Sequence, residues 1–326
     1  MKRKSPETVG IGRACPNIAF VKYWGKRDAE LNIPMVDSLS VTLDGLETIV
    51  EVSEAQNDSI FWRNGASTER LSPALGVPYL RVLDRFRGIA QTSQSFSVLF
   101  SPSLPPGQGF AGSAAAFAGF ARAMDDALRL GLDRETLSIM ARIGSGSAAR
   151  SIPGGFVRWH AGERKDGADS VARTVFGASH WPELRLVLVE TGRGMKKVPS
   201  TEGMIRSAAT SRLYPRWLET CERDIEVAIG RIEQRDIEGL GRIIESNAAE
   251  MHAVALSSSP PILYMNELTV ELIEQICGLR ERGVFAYCTL DAGPNPIIVT
   301  TDIFLQSVLE VIEKAELVHH VVSVGG

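Results

Sequence analysis

Pro105-Pro106-Gly107-Gln108-Gly109-Phe110-Ala111-Gly112-Ser113-Ala114-Ala115 is the stretch whose reading decides the fold. Its glycines, Gly107, Gly109 and Gly112, expose backbone amides and permit positive φ. The residues that follow, 114–130, are good helix formers, so a helix is expected to open at about Ser113. Its unpaired N–H groups and the positive end of its dipole would form an anion site suited to polyphosphate. The dipole alone supplies only ~0.3–1 kcal/mol at an exposed site, so several amides must converge to hold a triphosphate. A plain glycine turn with Ser113 as N-cap is the competing reading. No Gly-Lys-Ser/Thr ends the loop, and it does not match a strand-first GxGxxG, which sets aside the Walker A and dinucleotide-binding motifs.

Around this loop the chain alternates strand and helix patterns. Alternation and β-branched residues mark strands over 39–52, 60–62 and 96–100. A second helix is expected over 134–143, then a Gly/Ser turn at 144–147 and a strand over 155–160. The second half opens on a buried strand, 184–189, followed by helices over 202–211, 217–235, 236–255 and 266–282. Strands at 284–290 and 296–300, a helix at 303–315 and a strand at 317–324 close the chain. This is an α+β pattern divided near residue 182, giving domains 1–182 and 183–326.

Composition narrows the function classes. A chain of 326 residues with 44% hydrophobic residues can bury a sizeable core without staples. A net charge of -4 argues against a nucleic-acid partner, which needs a basic face. Cys15, Cys221, Cys277 and Cys288 show neither CxxC spacing nor a cluster, so reduced thiols are expected rather than a zinc site or a disulfide framework. The five histidines lack HExxH or similar metal spacing. No apolar h-region follows the basic start, and the apolar stretch around 110–124 is too short to span a bilayer. A cytoplasmic protein without a membrane partner is the expectation.

Three further segments carry chemistry. Lys22 directly follows the apolar run Ile18-Ala19-Phe20-Val21, so it would be partly desolvated and would need a partner. Tyr23 and Lys26 lie beside it, a grouping suited to an anion, although a solvated strand end reads the same way. Gly144-Ser145-Gly146-Ser147 presents amides and hydroxyls for phosphate oxygens, and Arg150 can fork onto a carboxylate. Asp291, at the start of Asp291-Ala292-Gly293-Pro294-Asn295, is either a cap of the Gly-Pro turn or a base aimed into a cleft.

Taken in order, these segments resemble the GHMP kinase superfamily and, within it, the mevalonate diphosphate decarboxylases. The resemblance spans nearly the whole chain. It is carried by Asn17-Ile18-Ala19 with Lys22-Tyr23-Trp24-Gly25-Lys26-Arg27-Asp28, Ser38-Leu39-Ser40-Val41-Thr42-Leu43, Gly144 to Ser147 with Arg150-Ser151, and Gly154-Gly155-Phe156-Val157. Met251-His252-Ala253, Pro260-Pro261 with Tyr264-Met265-Asn266, and Asp291 to Asn295 complete it. It implies a two-domain GHMP kinase fold, with an S5-like N-terminal half and a ferredoxin-like C-terminal half. It also implies ATP with magnesium, a phosphorylated mevalonate as the small-molecule partner, and a homodimer.

The same resemblance implies roles. Asp291 is the base, Lys22 keeps it ionised, and Arg150 clamps the substrate carboxylate or hydroxyl. Tyr23, Lys26, Ser145, Gly146 and Ser147 hold the 5-diphosphate. Gly107, Gly109, Gly112, Ser113 and Ala114 hold ATP, and Ser200 lies near the transferring phosphate. No protein ligand for magnesium is implied with certainty. The chain departs from the family at Gly112-Ser113, where Ser-Ser is common, at Val36-Asp37-Ser38 in place of Asn-Ser-Ser, and at Pro199-Ser200 in place of Ser-Ser. The Asp37-Ser38 pair resembles enzymes of mevalonate 5-monophosphate. Three readings therefore stand open: decarboxylation of mevalonate 5-diphosphate, the same reaction on the monophosphate, and a 3-kinase that stops short of decarboxylation. A non-catalytic module reusing the S5-like fold is the alternative from another class.

Overall fold

The computed structural model describes residues 7–103, 112–192 and 197–326; Gly107 and Gly109 of the glycine-rich loop lie outside the described residues. Its helices in chain order are α1 (Pro73–Ala90), α2 (Gly112–Leu128), α3 (Arg134–Gly144), α4 (Ser200–Thr210), α5 (Tyr214–Glu233), α6 (Ile237–Leu256), α7 (Glu267–Leu279) and α8 (Asp302–Lys314). A 3-10 turn, Gly146–Ser151, follows α3.

Beside a two-stranded ribbon of Lys26–Asp28 and Ile33–Pro34, the N-terminal half holds two larger sheets. One has the order Thr8–Ala14, Thr48–Ala55, Ser95–Pro102, Ser59–Asn64, Ser67–Arg70. It is antiparallel except where Ser59–Asn64 runs parallel to Ser95–Pro102. The other has the order Ala172–Phe176, Phe156–Trp159, Ser38–Thr42, Asn17–Val21 and is antiparallel throughout. A third sheet, Tyr287–Thr289, Ile297–Thr301, Leu184–Val189, His319–Val322, belongs to the C-terminal half.

One expectation changes. The single strand expected over 39–52 is two strands in different sheets, because Asp44-Gly45 turns the chain between them, with Gly45 at φ 73°. Helix α1 covers residues to which the sequence reading assigned no element, and it contains Pro73, Gly76 and Pro78. Pro73 sits in the first turn, where its missing N–H leaves no bond unmade. Tyr79, Val82, Leu83 and Phe86 then bury one face at helical spacing, and that burial outweighs the breakers.

The cores explain how the halves meet. One cluster lies within the N-terminal half and includes Val50, Phe86, Phe100, Phe120 and Met124. The largest is shared: Phe20, Leu39 and Phe156 pack with Leu186, Trp217, Ile244 and Tyr287. The chain end returns to the N-terminal half, where the Gly155 N–H donates to the Gly325 carbonyl at 2.8 Å. The two halves are thus joined by a packed apolar core.

Candidate active site

The strand Asn17–Val21 is buried at every residue. Its ladder breaks register between Ala19 and Val21, just before Lys22. Lys22 is 1% exposed. Its Nζ donates to the Ala19 carbonyl at 2.9 Å and to Asp291 Oδ1 at 2.9 Å. Burial pushes the Lys22 ammonium down from its ordinary value, and the Asp291 carboxylate opposes that shift.

Asp291 follows the strand Tyr287–Thr289. The local sequence left a turn cap and a base as alternatives, and the turn contact is made by the backbone. The Asp291 backbone carbonyl closes the turn by accepting from the Gly293 N–H at 2.7 Å. Its carboxylate meets Lys22 and stays 35% exposed toward the cleft. The loop is pinned from outside. Asn295 Oδ1 accepts from the Thr191 and Gly192 N–H groups, each at 2.9 Å, and Thr269 Oγ1 donates to the Pro294 carbonyl at 2.6 Å.

A cleft of about 200 Å³ opens over this pair, lined by Ala19, Tyr23, Trp24, Lys26, Asn32, Ser113, Gly144, Ser145, Gly146, Ser147, Arg150, Ser200, Thr201, Met204, Met251, Asp291 and Ala292. Most of the expected site residues therefore meet in one place. Lys22 is absent from the lining and lies buried against Asp291. Gly112 and Ser113 open α2, and Ala114 beside them has a fully buried side chain. Ser113 Oγ lies 3.5 Å from Ser145 Oγ, which lies 3.5 Å from Ser147 Oγ. The two serine-bearing loops thus face each other. Ser200 is the first residue of α4 and meets the same space from the C-terminal half.

Arg150 is 3% exposed and braced, with Nε donating to Asn17 Oδ1 at 3.0 Å and Nη1 to Ser38 Oγ at 2.9 Å. Burial lowers its pKa to about 10, against the pull of Asp291, so it remains a cation at neutral pH. Tyr23 stands edge-on to Trp159 with its hydroxyl buried and without a hydrogen-bond partner among the described residues. Burial pushes that phenol up, leaving it a neutral donor for an incoming ligand. Lys26 Nζ donates to Asn32 Oδ1 at 2.6 Å and to Thr201 Oγ1 at 3.1 Å, and burial lowers it to about 8.

Asn32, Thr201, Asn17 and Ser38 were assigned no role from the sequence. Asn32 sits at φ 52° and donates to the Arg142 and Ile143 carbonyls at 3.0 Å, fixing the oxygen that receives Lys26. An asparagine at a left-handed turn beside a lysine-rich strand end is the signal that was there to read. Asp37, a departure from the family pattern, is occupied elsewhere. It accepts from Arg158 Nε at 2.7 Å, His160 Nδ1 at 3.1 Å and the Ala161 N–H at 2.7 Å. Burial resists its ionisation, but these bonds overcome it and hold Asp37 at about 2.

A carboxylate on a buried lysine, ringed by cations, hydroxyls and a helix N-terminus, is an arrangement suited to an anionic molecule. Comparison with known proteins agrees. A family model described as the diphosphomevalonate decarboxylase-like N-terminal domain matches residues 14–172, and one for the mevalonate 5-diphosphate decarboxylase C-terminal domain matches residues 186–322. The chain belongs to the diphosphomevalonate decarboxylase family. The diphosphomevalonate decarboxylase of Aspergillus fumigatus is 38% identical, over 86% of this chain and 74% of its own. That of Candida albicans is 35% identical, over 91% of this chain and 86% of its own. The crystal structure of mevalonate diphosphate decarboxylase from Staphylococcus aureus superposes with a TM-score of 0.90 at 33% identity, covering 98% of this chain and 97% of that one. A chain designated MDDEF, solved in complex with MVAPP, AMPPCP and magnesium, superposes with a TM-score of 0.88 at 32% identity, covering 97% of each. The fold is therefore the two-domain arrangement of this decarboxylase family, and the chain is an enzyme of the ATP-dependent decarboxylase type.

Proposed function

We propose that this enzyme decarboxylates mevalonate 5-diphosphate with ATP, giving isopentenyl diphosphate, ADP, phosphate and carbon dioxide. The observation that carries the reading is the Lys22–Asp291 contact of 2.9 Å at the floor of a cation-lined cleft. A tertiary hydroxyl is a poor leaving group, and phosphorylation makes it a good one. Asp291 takes the hydroxyl proton, the freed oxygen attacks the γ-phosphorus, and the bond from that phosphorus to ADP breaks. The C3–O bond then breaks with its electron pair leaving on phosphate. The bond to the carboxylate breaks next, its pair becomes the double bond, and carbon dioxide departs. Arg150 orients the carboxylate or hydroxyl. Tyr23, Lys26, Ser145, Gly146 and Ser147 anchor the 5-diphosphate, far from the reacting carbon, and so align it.

The residues fit ATP with magnesium. Ser113, in the first turn of α2, lines the cleft, and magnesium is characteristically held by few protein groups together with substrate phosphates. Ser113, with Ser200 across the cleft, would hold the phosphates that donate the γ-phosphoryl group. The diphosphate reading gains support from Asp37, whose three hydrogen bonds tie it to Arg158, His160 and Ala161 and not to the cleft. The enzyme also works, on this reading, as a homodimer, which sedimentation of the purified protein would check. Incubation with ATP and each phosphorylated mevalonate, with carbon dioxide and ADP counted, tests the reaction. Carbon dioxide from the diphosphate supports it, and ADP alone contradicts it.

A further inference from the structure

Arg142 is a fully buried cation that does not line the cleft. It stands in the last turn of α3, two residues before Gly144. Its partners are main-chain carbonyls from two distant segments. Nε donates to Leu31 at 3.0 Å, and Nη1 donates to Gly167 at 2.9 Å and to Ser170. Burial lowers its pKa to about 10, so it is still charged at neutral pH. A buried cation needs its hydrogen bonds made, and the rigid fork of a guanidinium fixes whatever makes them. Gly167 sits at φ 67°, and a Cβ there would lie 2.6 Å from Nη2, so glycine is what lets that backbone close on the fork.

The Leu31 contact leads to the cleft. Leu31 and Asn32 belong to the turn of the ribbon between Lys26–Asp28 and Ile33–Pro34. The Arg142 and Ile143 carbonyls accept from Asn32 Nδ2, so the end of α3 holds this turn by side chain and backbone together. Asn32 Oδ1 in turn receives Lys26 Nζ at 2.6 Å. In the other direction the chain runs from Arg142 straight into Ser145-Gly146-Ser147.

We propose that Arg142 is a positioning residue that locks the Lys26–Asn32 turn to the Ser145–Ser147 loop and so sets the width of the 5-diphosphate site. This rests on the decarboxylase reading above. Two anion-binding segments far apart in the chain must keep a fixed separation to grip one diphosphate. Arg142 supplies it from behind, through the turn, without touching the substrate.

The test is steady-state kinetics on mevalonate 5-diphosphate and ATP across pH, with thermal melts alongside. Arg142→Met keeps an unbranched stem and removes the fork. KM for mevalonate 5-diphosphate is expected to rise about 10-fold while kcat and KM for ATP stay within about 2-fold, the pattern of lost uniform binding. A loosened turn also lets water reach Lys26, whose pKa of about 8 is set by burial, with Arg81 of α1 adding to the shift. The alkaline limb of kcat/KM should therefore move to higher pH, which a loss of stability alone would not cause. Arg142→Lys keeps the charge without the fork and should fall between the wild type and Arg142→Met. Should Arg142→Met not fold, Arg142→Lys decides, with KM for mevalonate 5-diphosphate up about 3-fold and the limb moved the same way. A wild-type KM in the deciding variant, an equal rise in both KM values with the limb unmoved, or a fall confined to kcat would overturn the proposal. A wild-type enzyme that releases no carbon dioxide would instead remove the decarboxylase reading, and this proposal with it.

Discussion

Asp291 has two neighbours that shape its chemistry: a lysine beneath it and a cleft above it. Lys22 donates to one carboxylate oxygen, and the group is 35% exposed at the cleft. Asp291→Asn keeps the shape and removes the base. We expect its kcat to fall by about 100-fold or more, as for loss of a general base, while calorimetry shows nucleotide binding retained. Lys26 gives a pH signature. Its folded pKa of about 8 lies below the ordinary lysine value, so it is cationic below that pH and neutral above it. Since kcat/KM reports the free enzyme, it should fall as pH rises through about 8. In Lys26→Arg the guanidinium stays charged and that alkaline limb should move up. A limb unmoved in Lys26→Arg would assign it to another group.

At the level of elements, the decisive placements are those of α2 and α4. Gly203 seats α4: a Cβ there would lie 2.4 Å from the Tyr264 hydroxyl and 2.9 Å from the Trp24 ring. Gly203→Ala should therefore lift the N-terminus of α4, carrying Ser200 and Thr201 away from the cleft. Stability should drop by about 1–3 kcal/mol, the usual cost of overpacking, and KM for the phosphorylated substrate should rise. Tyr264→Phe in the same chain removes the nearest atom and should restore part of both. No recovery would show that α4 is seated by something else. The sequence made much of this legible. Residues 184–189 and the helices of the second half were readable from hydrophobic period alone, because each buries one regular face. Helix α1 was hidden by Pro73 and Pro78, and the break at Gly45 by β-branched residues on both sides. The expected site residues within the described chain gather around one cleft because motif and backbone geometry coincide there. Asn32 and Asn247 were missed because they grip backbone 110 to 225 residues away along the chain, which no local pattern encodes.

For the whole molecule, the shared core matters more than the division near residue 182. Phe20, Leu39 and Phe156 of one half pack with Trp217, Ile244 and Tyr287 of the other, so neither half keeps its burial when the other unfolds. We expect denaturant unfolding followed by far-UV circular dichroism and by tryptophan fluorescence to give one coincident transition, despite the length of the chain. Two separated transitions would mean that the halves fold independently. The same continuity joins the cleft to its support, since Asp291 and Ser200 come from the C-terminal half and Lys22, Arg150 and Ser113 from the other. The most direct test of the central claim is product stoichiometry: purified enzyme with ATP, magnesium and mevalonate 5-diphosphate, with ADP and carbon dioxide measured in the same reaction and mevalonate 5-monophosphate run in parallel. The account predicts one carbon dioxide for each ADP from the diphosphate, whereas ADP without carbon dioxide, or carbon dioxide from the monophosphate alone, would contradict it.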